Sequence, residues 1–309
     1  MKSARQLTHA TKVEDVLDLL RSDGVRLVSI FGSLDDDGQP RVHYVVDVDS
    51  REYRVLDCAV EGSIRSATGV TPAAAWYERE LADKFGVVDW QPPDKVLAKI
   101  GLKPEDIDVV LLTHAHFDHM GNIMSFPNAH FYLQKKEIND WVWALSLPKK
   151  FSFISAATNP QDVTNAVLLG AHGRLTLVDG KVENVIPGVS LLPAYDSHTF
   201  GSQLIMIDNV VADGKLDRWM VAGDNCYAYE NLLGINNNGV YLPVGFGVGS
   251  QVNMTFALDK MMEMVNGNID RIIIGHEPKS WEHYQSWKCS DGLYVGELHL
   301  AAGEHSYRP

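Results

Sequence analysis

Apolar positions recur at helical spacing from Val13 to Leu20, with acidic residues on the other side, and the period then shortens to two. Arg26–Phe31, Arg41–Val48 and Tyr53–Cys58 read as three strands of a meander; in the second, Val42, Tyr44, Val46 and Val48 alternate with other residues. A helix is expected over Ala73–Phe85, ended by Gly86, and another over Asp94–Ile100, opened by Pro92 and Pro93 and stopped by Gly101. Ile107–Leu112 is almost wholly apolar and branched, which suits a strand covered on both faces. Further on, short apolar runs at Val189–Leu192, Gln203–Ile207, Trp219–Ala222 and Arg271–Ile274 are bounded by Gly, Asp or Asn, and Thr255–Val265 reads as a helix. Strands and helices mixed along the whole chain predict an α/β (α+β) layered fold.

Composition narrows the task more than the shape. At ~150 residues per domain, 309 residues make two average domains or one large one. Lys and Arg number 27 against 40 Asp and Glu, a net charge of −13, so a phosphate backbone is not the main partner. Three scattered cysteines without a CxxC pair form no disulfide scaffold. The first residues lack the apolar core of a signal peptide, and no run of ~18 apolar residues could span a bilayer. The expectation is a soluble, cytoplasmic protein that binds neither nucleic acid nor membrane.

The candidate chemistry sits directly after the Ile107–Leu112 run. His114, His116, Asp118 and His119 place three imidazoles and a carboxylate within six residues. Neutral nitrogen with anionic oxygen suits a borderline divalent cation: zinc first, with manganese, iron or cobalt compatible. Extended chain puts His114 and His116 on one side, and a turn through Phe117 could swing Asp118 and His119 toward a second position. Further ligands are expected where later strands end, and His198, Asp224 and His276 stand at such places.

These residues resemble the metallo-β-lactamase superfamily, whose HxHxDH signature stands here as His114, His116, Asp118 and His119. The resemblance runs from Pro92 to about Trp281. It implies a four-layer αββα sandwich holding two divalent metal ions, one bound by His114, His116 and His198, the other by Asp118, His119 and His276, with Asp224 bridging. Tyr227, three residues after Asp224, resembles the tyrosine that contacts the lactone carbonyl in the quorum-quenching lactonase group, although the neighbouring Tyr229 could be the inward ring. The resemblance thus implies a hydrolase that opens a lactone or similar small cyclic ester through a hydroxide shared by the ions. Asp118 and Tyr227 would be its catalytic side chains. A glyoxalase II-like thioester hydrolase or a β-lactamase on the same fold is the alternative. The Trp141–Leu147 stretch and Tyr241–Gly247 could wall a pocket for an apolar substituent of a small-molecule substrate, and a homodimer is compatible.

The N-terminal third fits less directly. Leu56, Asp57, Cys58 and Ala59 stand where the superfamily has an Asp-Thr-Gly-like turn, with Asp57 available to support the metal loop. Val28–Gly32, His43–Val45 and Ala75–Glu80 with Phe85 and Gly86 are similar to the 30-kDa subunit family of respiratory complex I. That second resemblance implies a separate assembly module over 1–90, a hydrolase over 91–309, and docking onto a redox complex. The preferred organisation is one domain over 1–309 with an N-terminal extension of about 25 residues, in which Arg41–Cys58 supplies the first strands of the sandwich.

Overall fold

A computed structural model describes residues 7–8, 12–49, 52–60, 64–65, 67, 88–89, 93–210, 215–245, 247–277, 280–290 and 293–298. The helix expected over Ala73–Phe85 lies outside the described residues. The chain divides into two compact units, Met1–Pro92 and Pro93–Pro309.

The first unit is built on helix α1 (Val13–Leu20) and a four-stranded sheet in the order β1-β4-β3-β2. Its strands are β1 (Leu7–Thr8), β2 (Val25–Leu34), β3 (Pro40–Val48) and β4 (Glu52–Ala59). Val13, Val16, Leu17 and Leu20 fall on one side of the helix because 3.6 residues make a turn, and they bury against Ile30, Val42, Tyr44, Val46 and Leu56 of the sheet. Each such burial contributes about 1.5–3 kcal/mol. The meander is therefore as the periodicity predicts, but Arg41–Cys58 pairs with β2 and β1 and adds no strand to the sheets of the second unit. Leu56–Ala59 is strand rather than turn. Asp57 is engaged by Arg41, which donates from Nε (2.8 Å) and Nη2 (2.6 Å) in a two-pronged pair, so its expected support of the metal loop gives way to a cross-strand role. A small parallel pair, β5 (Ile64–Arg65) with β6 (Val88–Asp89), completes the described part.

Among the described residues, the second unit has two main sheets and a short antiparallel pair, Ser286–Lys288 with Tyr294–Gly296. After helix α2 (Pro93–Leu97), strands β7 (Val109–Leu111), β8 (His130–Gln134) and β9 (Leu175–Val178) run parallel. Strands β10 (Val182–Ile186), β11 (Val189–Pro193), β12 (Gln203–Val210), β13 (Leu216–Val221) and β14 (Ile272–Ile273) form the other sheet, antiparallel except for β13 with β14. Three apolar layers separate four structural ones. Helices α4 (Lys135–Leu145) and α5 (Pro160–Ala171) cover one face of the first sheet through Leu133, Trp141, Val163 and Leu169. Leu111, Tyr132 and Val178 meet Leu191, Ile205 and Val221 between the sheets. Helix α6 (Gln251–Met264) covers the second sheet through Leu258 and Met261 against Leu204, Met220 and Ile272. The order is α, β, β, α, as expected, and both faces of β7 are covered. No helix among the described residues is long and apolar enough to cross a membrane.

One buried polar chain locks the sheets together at the edge that matters. Gln203 donates its backbone N–H to Thr113 O (2.9 Å) and its side-chain amide to Leu112 O (2.7 Å), while Gln134 donates to Gln203 Oε1 (2.8 Å). The end of β7, the end of β8 and the start of β12 are thereby held at one place. Buried amides left unpaired would cost about 1–3 kcal/mol each, so this register is strongly preferred.

Candidate metal centre

Every candidate ligand leaves an element at that same edge. β7 ends at Leu111, and the extended chain through His114 and His116 is broken by a one-turn helix α3 (Phe117–Met120), whose first N–H donates to Ala157 O (3.1 Å). This is the turn through Phe117 that the sequence suggests, and it carries Asp118 and His119 toward a different point from the first two histidines. His198 lies in the connection between β11 and β12. Asp224 sits in the turn after β13, where Gly223 adopts a left-handed φ of +52° and lies so close to Thr113 that a Cβ would come 2.8 Å from it. His276 follows β14.

The seven side chains converge in two groups: His114, His116, His198 and Asp224, and Asp118, His119, Asp224 and His276, with the candidate ligand atoms of each group within 4.8 Å of one another. Asp224 belongs to both because its oxygens are divided. Oδ2 lies 3.7 Å from His114 Nε2 and 3.4 Å from His198 Nε2; Oδ1 lies 2.9 Å from His119 Nε2 and 3.1 Å from His276 Nε2. His198 Nε2 is 3.0 Å from His116 Nδ1, and Asp118 Oδ2 is 3.4 and 3.5 Å from His119 and His276. A tetrahedral ion with bonds of about 2.0–2.1 Å separates its ligand atoms by about 3.4 Å. The measured spacings scatter around that edge length.

The donor set fits such ions on a second ground. Buried Nε2 atoms of His114, His119 and His276 and Oδ1 of Asp224 have no hydrogen-bond partner. These buried atoms lie close together yet unpaired, an arrangement that costs free energy unless a cation takes the lone pairs. His114 is oriented from behind, its Nδ1 3.1 Å from Thr113 Oγ1.

Charge and burial compete across the cluster. Burial pushes His116 down to about 3 and His198 to about 4, and holds His114 well below its ordinary value, so these three are neutral nitrogen donors. For His119 burial also opposes the charge, but the carboxylates of Asp118 and Asp224 outweigh it and lift the pKa to about 10. Burial works against ionised Asp224 as well, yet the surrounding imidazoles hold its pKa well below the carboxylate range.

The two tyrosines separate cleanly. The Tyr227 ring is 4.9 Å from His276 and 5.8 Å from His198, and burial with nearby Asp224 raises its pKa. Tyr229 instead packs on His283 at 4.8 Å. Trp141 is fully buried and donates to Glu137 (2.8 Å), so it is packing rather than pocket wall, whereas Trp143 and Phe151 are exposed. Cys58 and Cys226 are buried free thiols, with pKa values pushed up by burial to about 11 and 12.

Sequence reasoning missed Glu137. This fully buried carboxylate accepts from Ala115 N and Trp141 Nε1 at Oε1 (both 2.8 Å), and from Thr199 Oγ1 (2.8 Å) and Gly201 N (2.5 Å) at Oε2. Its one trace in the chain is an acidic residue one turn before a tryptophan on the apolar face of α4.

Comparison with known proteins agrees with this geometry. Residues 70–189 match the metallo-beta-lactamase superfamily model, and residues 7–107 match that of the 30 Kd subunit of respiratory-chain NADH dehydrogenase. An N-acyl homoserine lactonase of Azorhizobium caulinodans is 25% identical over 63% of this chain and 66% of its own length. One from Bacillus cereus is 26% identical over 48% and 54%. A probable metallo-hydrolase of Methanocaldococcus jannaschii is 51% identical over 43 residues, 14% of this chain and 21% of its own. The chain thus spans about half the length, or less, of most curated relatives it matches. A solved N-acyl homoserine lactone hydrolase superposes with a TM-score of 0.45 at 16% identity, over 84% of this chain and 97% of that one. Fold and site together define a divalent-metal-binding αββα protein. Residues 70–189 are similar to the metallo-β-lactamase superfamily, and N-acyl homoserine lactonases are among the chain's relatives.

Proposed function

We propose that Pro93–Pro309 is a binuclear metal-dependent hydrolase that opens a lactone or similar small cyclic ester. The observation that carries this reading is the division of Asp224, one oxygen toward each cluster of ligands. His114, His116 and His198 would hold one ion, Asp118, His119 and His276 the other. Bound there, a pair of divalent ions supplies Lewis acidity and brings the pKa of water from 15.7 toward ~7.

The chain's own side chains supply the rest. Tyr227 keeps its phenolic proton at neutral pH and sits beside His198 and His276, so its O–H donates to the oxygen that becomes negative when a carbonyl is attacked. Burial opposes the charge on Asp118, but the adjacent His119 prevails and leaves it ionised. Asp118 therefore accepts a proton at one face of the centre and returns it to the departing alkoxide, completing ester cleavage without net proton transfer to the protein. Zinc is the proposed ion. The exposed rings of Trp143 and Phe151 support a substrate with an apolar substituent, and we place the enzyme in the cytoplasm, compatible with a homodimer.

The test is elemental analysis of protein purified without added metal, combined with a panel of lactones, glutathione thioesters and a chromogenic cephalosporin. Two equivalents of metal and lactone preference are expected. Thioester or cephalosporin preference replaces the substrate assignment with the thioesterase or lactamase alternative, and absence of metal overturns the enzyme. A second reading concerns Met1–Pro92 alone. Its match to the 30 Kd subunit model supports a distinct assembly module that docks onto a redox complex, which co-purification with such a complex would reveal.

A further inference from the structure

We propose that Glu137 is a positioning residue for one half of the centre only, the three-histidine half, an inference that rests on the binuclear reading above. Its four hydrogen bonds go to Ala115, Trp141, Thr199 and Gly201. Ala115 is the residue between His114 and His116, so clamping its N–H fixes the extended segment that carries both imidazoles. Thr199 follows His198 directly and Gly201 comes two residues later, and Thr199 is further tied to Ser202 by its N–H and hydroxyl (2.9 and 2.7 Å). One carboxylate therefore joins two loops more than 80 residues apart, and those loops carry all three histidines of that half.

The other half is anchored elsewhere. Asp118 and His119 ride on α3, whose later amides bond back to His116 O but whose first N–H is held separately by Ala157 O (3.1 Å), and His276 follows β14. None of these bonds passes through Glu137.

The donors also specify a carboxylate. An ionised carboxylate offers about four lone-pair sites, and here each oxygen receives two donors. An amide of the same shape would turn its NH₂ toward two of them and leave those donors unpaired. Gly201 makes the close approach feasible, since a Cβ there would lie 2.3 Å from Glu137 N.

The experiment loads wild type, Glu137→Gln and Thr199→Val with cobalt(II). It reads the metal equivalents retained against a competing chelator and the visible spectrum of each. Thr199→Val removes one donor and leaves the carboxylate, a milder perturbation should Glu137→Gln fold poorly. Expected results are two equivalents in wild type and a 10–100-fold weaker hold on one equivalent in Glu137→Gln. Thr199→Val should show a smaller loss at the same spectral component, with the second equivalent unchanged in both variants. Equal weakening of both ions, or no weakening in either variant, overturns the inference and leaves the binuclear reading intact. Fewer than two equivalents in wild type overturns both.

Discussion

Gly247 offers a sharp test of how the His198 loop is held. The chain from 247 to 250 runs against 196–198, with Val248 N donating to His198 O (3.0 Å) and Ser250 N to Asp196 O (2.7 Å). A Cβ on Gly247 would sit 2.6 Å from His198 O and 3.2 Å from both His198 Cα and Nδ1, about 0.8 Å inside the 3.4 Å where ordinary contact begins. Backbone meets backbone here, so no flexible side-chain end can yield. Gly247→Ala must move His198 or peel the loop away. Either way the shift exceeds the tolerance of about 0.2 Å for a metal–ligand distance. Overpacking of this kind costs about 1–3 kcal/mol, roughly 2–12 °C in melting temperature for a unit of this size. A misplacement approaching 1 Å lowers turnover by about 10². Gly245→Ala is the matched control, because nothing lies within 4 Å of its Cβ. Melting curves, metal content and lactone turnover of the two variants decide the matter. If Gly247→Ala behaves like Gly245→Ala, the loop does not set His198 and the reasoning fails.

Other consequences are equally direct. Asp224→Ala removes the carboxylate common to both groups, so metal loading and turnover should disappear together; retained activity in this variant refutes the ligand assignment. Tyr227→Phe should lower kcat by about 10² with both ions retained and KM nearly unchanged, and an effect confined to KM would assign Tyr227 to binding alone. In metal-free protein, His116 and His198 have folded pKa values of about 3 and 4, below the ordinary 6.5, so the stability they contribute is present above pH 6.5 and lost as pH falls through those values. His119, raised to about 10, contributes stability that is present below pH 6.5 and lost as pH rises toward 10. Chelator-treated protein should thus be most stable near pH 6.5. Metal occupancy should abolish the alkaline decline, because the imidazole then holds an ion instead of a proton; a flat pH profile without metal contradicts the burial argument.

Local chemistry in the chain foretold a good deal. Helix α1 follows from its apolar spacing, and β2 to β4 follow from alternation, because both are periodicities that neighbouring residues impose on one another. β8 and the helix α4 escaped notice: His130–Gln134 is five residues long, mixes polar with apolar, and runs into Lys135 without a Gly or Pro to mark the change. Arg41–Cys58 was legible as strands but not as to which sheet they join, since alternation specifies a buried face and not the partner that buries it.

The sequence by itself determined the kinds of donor at the centre, imidazole nitrogen and carboxylate oxygen, and set four of them within six residues where short-range geometry already separates two pairs. Only the tertiary structure decided that Tyr227 rather than Tyr229 adjoins them, and that Glu137 and Gly247 hold the histidine loops. Those outcomes depend on distances between segments tens of residues apart, fixed by which layers pack and which buried polar groups must be satisfied, and no local pattern along the chain contains that information.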